Sequence, residues 1–166
     1  MIKKKICMIG AFAVGKTSLV QQHVHSIFSE KYHTTVGVKI DKKAMVVAGQ
    51  QVDLIIWDLY GEDDFQTVQM SYLRGSSGAL YVVDGTRKET LDIALKLKNR
   101  ADQAVGPLPA VVALNKCDLD YRWELTADEI SPLADDRIPV IKTSAKTGYS
   151  VEAAFQALAQ LMVEVP

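Results

Sequence analysis

The chain has 166 residues, 48% of them hydrophobic, and a formal net charge of −1. That length and composition suit one soluble domain with a substantial core, and the near-zero charge excludes a general attraction to nucleic acid or anionic lipid. Two cysteines, Cys7 and Cys117, make no disulfide framework, which fits a reducing, cytoplasmic compartment, and no apolar run reaches transmembrane length.

Ile6-Cys7-Met8-Ile9 reads as a buried strand. It runs into Gly10-Ala11-Phe12-Ala13-Val14-Gly15-Lys16-Thr17, which fits the phosphate-binding pattern G-x-x-x-x-G-K-[ST]. A helical pattern follows, with apolar residues at Leu19, Val20, Val24, Ile27 and Phe28. Strand, glycine-rich turn and helix together aim backbone N–H groups and a helix dipole at an anion. Ala13, Val14, Gly15, Lys16, Thr17 and Ser18 are the expected phosphate contacts. Lys16 brings a cation to the β- and γ-phosphates, and the Thr17 hydroxyl is placed for Mg²⁺.

Residues 28–37 read as a loop. Val38–Val47 and Gln51–Trp57 read as a hairpin around Ala48-Gly49-Gln50. The second strand is followed by Asp58-Leu59-Tyr60-Gly61-Glu62. A carboxylate opposite a P-loop suits Mg²⁺, and Gly61 lets the backbone approach a γ-phosphate. Residues 61–74 read as a polar loop entering a short helix. Ala79–Val83, ending at Asp84, has the continuous apolar run of a strand covered on both faces. Thr86-Arg87-Lys88-Glu89 offers a capping box for a helix to about Ala104, stopped by Gly106-Pro107.

Ala110–Leu114 is another buried strand, followed by Asn115-Lys116-Cys117-Asp118. Guanine offers N1–H and N2–H₂ as neighbouring donors, a pair that one carboxylate accepts and that adenine lacks. Asp118 is therefore a guanine selector, with Asn115 tying loops together and the Lys116 stem covering the base. Thr126–Glu129 is a second capping box, confined by Pro132, and Ile138–Ile141 is the last strand. Thr143-Ser144-Ala145-Lys146 follows, where the Ala145 N–H could meet the guanine O6 with Lys146 on the other face. A final helix from about Ser150 aligns Val151, Ala154, Phe155, Leu158, Ala159 and Met162 on one side. Strands alternating with helices predict an α/β sandwich, a mainly parallel six-stranded sheet with one antiparallel edge strand and helices on both faces. Ligands of such sheets lie beyond the carboxyl ends of the strands.

Taken in order, GAFAVGKT, a threonine before Val36-Gly37, DLYGE, NKCD and TSAK resemble the motifs of the Ras-superfamily small GTPases, most of all the Rab branch, over nearly the whole chain as a single domain. Tyr72-Leu73-Arg74-Gly75 adds to the Rab likeness. The resemblance implies a molecular switch that binds GTP and GDP with Mg²⁺ and hydrolyses GTP. It implies that Phe28 packs edge-on against guanine, that Ser144, Ala145 and Lys146 complete the base site, and that Tyr32 closes over the phosphates. Thr35 would ligate Mg²⁺ beside Thr17 and Asp58. Lys16, Thr35, Gly61 and Glu62 would serve hydrolysis, and release of Thr35 and Gly61 afterwards would relax both switch loops. Effectors, an exchange factor and a GTPase-activating protein are the implied partners of a monomer, with Val36, Val38, Trp57 and Tyr72 as an effector surface. No cysteine lies near Pro166, so membrane contact is expected only through a tail absent from this sequence or through a partner.

Two positions depart from the family. Glu62 stands where relatives carry a water-orienting glutamine. At about 5 Å from a γ-phosphate an ionised carboxylate costs roughly 3 kcal/mol at an effective dielectric of 20, about a hundredfold in rate. Equally, the carboxylate can accept a hydrogen bond or proton from water and position it. Phe12, in place of a small residue, can obstruct an arginine supplied in trans or pack aside. Slow turnover is the expectation, and a GTP-binding scaffold with little hydrolysis is the alternative. An unrelated P-loop ATPase or kinase is disfavoured by Asp118. Trp123 is expected to cover the base pocket or pack locally, His23 and His25 to be solvated, and His33 to be a partner contact.

Overall fold

The computed structural model describes residues 2–29, 37–62, 67–133 and 137–164. Among them six strands form one sheet: β1 (Ile2–Gly10), β2 (Val38–Val47), β3 (Gln50–Leu59), β4 (Gly78–Asp84), β5 (Ala110–Asn115) and β6 (Val140–Lys142). The order is β2-β3-β1-β4-β5-β6, parallel except for β2 against β3. The expected α/β sandwich is the fold. Ala48 (φ 50°) and Gly49 (φ 77°) turn the β2–β3 hairpin, both left-handed as a tight two-residue turn requires.

Alternation along the central strands divides the core in two. Ile6 and Met8 of β1 and Leu80 and Val82 of β4 face α1 (Lys16–His25) and α4 (Val151–Glu164). Cys7, Ile9, Tyr81 and Val83 face α2 (Glu89–Val105), which contributes Leu91, Ala94, Leu97 and Ala101. The unbroken apolar runs read as double-faced strands are explained by this layering. All six residues expected on the inner stripe of α4 are buried.

Local chemistry moves several boundaries. Helix α1 stops at His25 because Ser26 adopts a left-handed conformation (φ 55°) and returns its N–H to the Gln22 carbonyl. Ile27 and Phe28 thus lie past the helix. His23 is buried, not solvated: its ring stacks on Phe155 at 3.9 Å and 3°. Thr86 does not cap α2, because its hydroxyl donates to Asp84 Oδ1 at 2.7 Å. Thr90 instead bridges the helix start, accepting from the Asp84 N–H at 2.9 Å and donating to the Arg87 carbonyl at 2.8 Å. Thr126 does cap α3 (Ala127–Ile130), accepting from the Glu129 N–H at 3.2 Å. Strand β6 pairs from Val140, two residues later than its sequence suggested.

Candidate functional site

The carboxyl ends of β1, β3 and β5 and the segment after β6 meet around one cleft of about 400 Å³. Of the residues expected to bind nucleotide, Ala13, Gly15, Lys16, Thr17, Ser18, Phe28, Gly61, Asn115, Lys116, Asp118, Ala145 and Lys146 line it. Phe12 lines it too, as do Ser29, Leu59 and Leu119, which were not among the expected contacts. Tyr32 and Thr35 lie outside the described residues, as do His33 and Val36.

The turn after β1 is shaped by close approaches. A Cβ on Gly10 would lie 2.5 Å from the Val82 carbonyl oxygen. Gly15 has φ 102°, and a Cβ there would lie 2.3 Å from Asn115 Nδ2. Neither position accommodates a side chain, and Gly15 needs the left-handed backbone as well. The carbonyls of this turn each find a side-chain donor. Lys16 Nζ donates to Ala11 at 2.9 Å and to Gly10 at 3.4 Å. Arg87 donates to Phe12 at 2.9 Å, Lys116 to Ala13 at 3.1 Å, and Asn115 Nδ2 to Val14 at 3.0 Å. Burial pushes the Lys16 ammonium down to about 8, with Asp58 opposing and Arg87 adding to the fall.

Thr17 donates its hydroxyl to Asp58 Oδ2 at 2.6 Å, bringing two of the three expected metal ligands together. Burial pushes the Asp58 carboxyl up, while the Thr17 hydroxyl and Lys16 pull it down. Among the described residues Asp58 Oδ1 is buried without a hydrogen-bond partner. A hard oxygen acceptor left unsatisfied beside a hydroxyl and the phosphate loop fits Mg²⁺.

At the other end Asp118 accepts from the Ser144 hydroxyl at 2.8 Å, and that hydroxyl accepts in turn from the Thr147 N–H at 3.1 Å. Asn115 is buried and bonded throughout, its Oδ1 accepting from Thr143 Oγ1 at 3.1 Å and the Ala145 N–H at 3.3 Å. The Ala145 N–H, expected to meet guanine, is here directed at Asn115. Lys116 pairs at 2.9 Å with Asp84, a fully buried carboxylate that the sequence reading passed over. Its position at the end of β4 was the available signal. Trp123 packs locally: its ring fills the space a Gly85 side chain would take, under Lys142.

Gly61 sits against the phosphate loop, where a Cβ would come within 2.5 Å of Phe12 Cα. Glu62 continues the contact through its backbone, but its carboxylate turns to Arg100 of α2. On the outer surface Trp57 and Tyr72 lie 6.3 Å apart between ring centroids, with Lys5 Nζ 3.6 Å from the Trp57 ring.

Residues 5–164 match the Ras family. Over 153 residues the chain is 36% identical to Ras-related protein Rab-4B of Rattus norvegicus and of Homo sapiens, covering 91% of this chain and 72% of each of those. It is 32% identical over 167 residues to Ras-related protein Rab-32 of Mus musculus, covering 96% and 75%.

Proposed function

The chain belongs to the Ras family of small GTPases, in its Rab branch, and from that premise we propose that it is a guanine-nucleotide switch of membrane trafficking or signalling. It binds GTP and GDP in the cleft, hydrolyses GTP slowly to GDP and phosphate, and offers its GTP state to effectors. The observation that carries this reading is the pair of charges at the two ends of one cleft, Lys16 and Asp118. Lys16 meets the β- and γ-phosphates while the inward N–H groups of residues 13–18 wrap them. Asp118, held by Ser144, accepts the two guanine donors.

Thr17, Asp58 and Thr35 are the residues that would hold Mg²⁺, which when bound neutralises phosphate charge as it develops. Gly61 brings a backbone N–H to the γ-phosphate end. Trp57 and Tyr72, with Val38 and Val36, form the effector surface, and exchange and GTPase-activating proteins act at the same loops. The attachment of Glu62 to Arg100 favours slow intrinsic turnover, and in its extreme form the scaffold reading, in which GTP is bound and barely hydrolysed.

Nucleotide analysis of the purified protein, competition of GTP against ATP, and timed GTP turnover with Mg²⁺ test this reading. Guanine nucleotide in the preparation and preference for GTP are expected. Equal affinity for ATP refutes the guanine assignment, and no measurable turnover leaves the scaffold.

A further inference from the structure

We propose that Arg100 of α2 is a positioning residue that restrains hydrolysis by holding the Glu62 carboxylate off the phosphate end of the cleft. This rests on the switch reading and deepens it. Arg100 Nη1 donates to both carboxylate oxygens of Glu62, each at 3.0 Å, and Nη2 donates to the Val68 carbonyl at 3.0 Å. The Val68 N–H closes the ring by donating to Glu62 Oε2 at 2.9 Å. A planar guanidinium suits this double task as an ammonium does not.

The main chain of Glu62 is held from the other side. Its N–H donates to the Gly10 carbonyl at 3.2 Å, and its carbonyl accepts the Phe12 N–H at 3.0 Å. With the backbone fixed to the phosphate loop and the carboxylate fixed to α2, Glu62 does not line the cleft. Both side chains of the pair keep partial access to water, so the contact directs Glu62 more than it stabilises the fold. In this arrangement the carboxylate neither repels the γ-phosphate nor serves the attacking water.

Removing the guanidinium leaves, among the described residues, only the Val68 N–H on the carboxylate, which can then turn to the phosphate end as an acceptor. Water then attacks the γ-phosphorus, the bond from that phosphorus to the β,γ-bridging oxygen breaks, and the proton of water passes to Glu62 and on to the phosphate released. The test is single-turnover hydrolysis by the full chain loaded with GTP and Mg²⁺. Arg100→Met, with Arg100→Gln as a second variant should the first fail to bind nucleotide, is expected to raise the rate at least threefold. Arg100→Lys, which keeps a cation but not the fork, is expected to fall between. Glu62→Leu combined with Arg100→Met is expected to lose the gain. A rise below threefold, a fall, or a gain that survives in the double variant overturns the proposal. Failure of the unsubstituted protein to prefer GTP over ATP would overturn the switch reading itself, through a measurement independent of rate.

Discussion

Ser144→Ala separates the base end of the cleft from its phosphate end. The Ser144 hydroxyl donates to Asp118 at 2.8 Å and receives the Thr147 N–H at 3.1 Å, so its removal frees the carboxylate that is to meet guanine. A hydrogen bond to a charged group contributes about 1.5–3 kcal/mol. Asp118 is only partly buried and regains water when released, so the expected loss is about 1–2 kcal/mol, roughly five- to thirtyfold in affinity. The loss should show mainly as faster dissociation, since the approach of the ligand is unchanged. Stopped-flow release of a fluorescent GDP analogue measures it, with tripolyphosphate affinity as the control for the untouched phosphate loop. A change below twofold, or an equal loss for tripolyphosphate, would refute the assignment of Ser144 to holding Asp118.

Three further outcomes are expected. Asp118→Asn should weaken GDP by at least a hundredfold, about 3 kcal/mol for two charge-assisted bonds, while ADP binding changes little; parallel losses in a competition assay would remove Asp118 from the base site. Glu62→Gln weakens its charge pair with Arg100 and should change single-turnover hydrolysis several-fold with GTP affinity held within twofold; equal rates would argue against any role for Glu62 in turnover. His23 titrates below the ordinary histidine value, chiefly through burial and with Lys43 contributing, although Glu152 at 2.8 Å opposes the shift. The unfolded chain then takes up a proton that the folded one resists, so stability is intact above about pH 6.5 and falls below it, by at most about 1.4 kcal/mol per pH unit. Urea midpoints at pH 7.5 and 5.5 should differ more for the unsubstituted chain than for His23→Leu, and matching differences would contradict the shift.

Features dictated by backbone and near neighbours were legible in the sequence. The phosphate loop announces itself because Gly10 and Gly15 stand where no Cβ fits, and the strand-end rule brought Asn115 and Asp118 to the cleft and Asp58 against its Thr17. The inner stripe of α4 followed from helical spacing alone. What escaped were partnerships across the chain. Glu62 and Arg100 stand 38 positions apart, and nothing local in either marks the other. His23 was hidden by its polar label, although Leu19, Val20 and His23 share one face of α1. The end of α1 was overrun because Ile27 and Phe28 continue the apolar spacing, while a left-handed Ser26 left no compositional trace. That early stop lets Phe28 line the cleft instead of joining the helix.

The side-chain donors on the phosphate-loop carbonyls bear on how the ends of a bound nucleotide would communicate. Arg87, Asn115 and Lys116 clamp residues 12–14, and two of these belong to the stretch proposed to recognise the base. The loop is thereby ordered as the chain folds, and a ligand is spared most of the entropic cost of shaping it. The same clamps tie the proposed guanine subsite to the phosphate loop as one mechanical body. A partner that pulls on residues 115–118 disturbs phosphate contacts without touching them, and strain introduced at residues 12–14 is felt at the base. On the proposed reading, release of the nucleotide can therefore be triggered from either end.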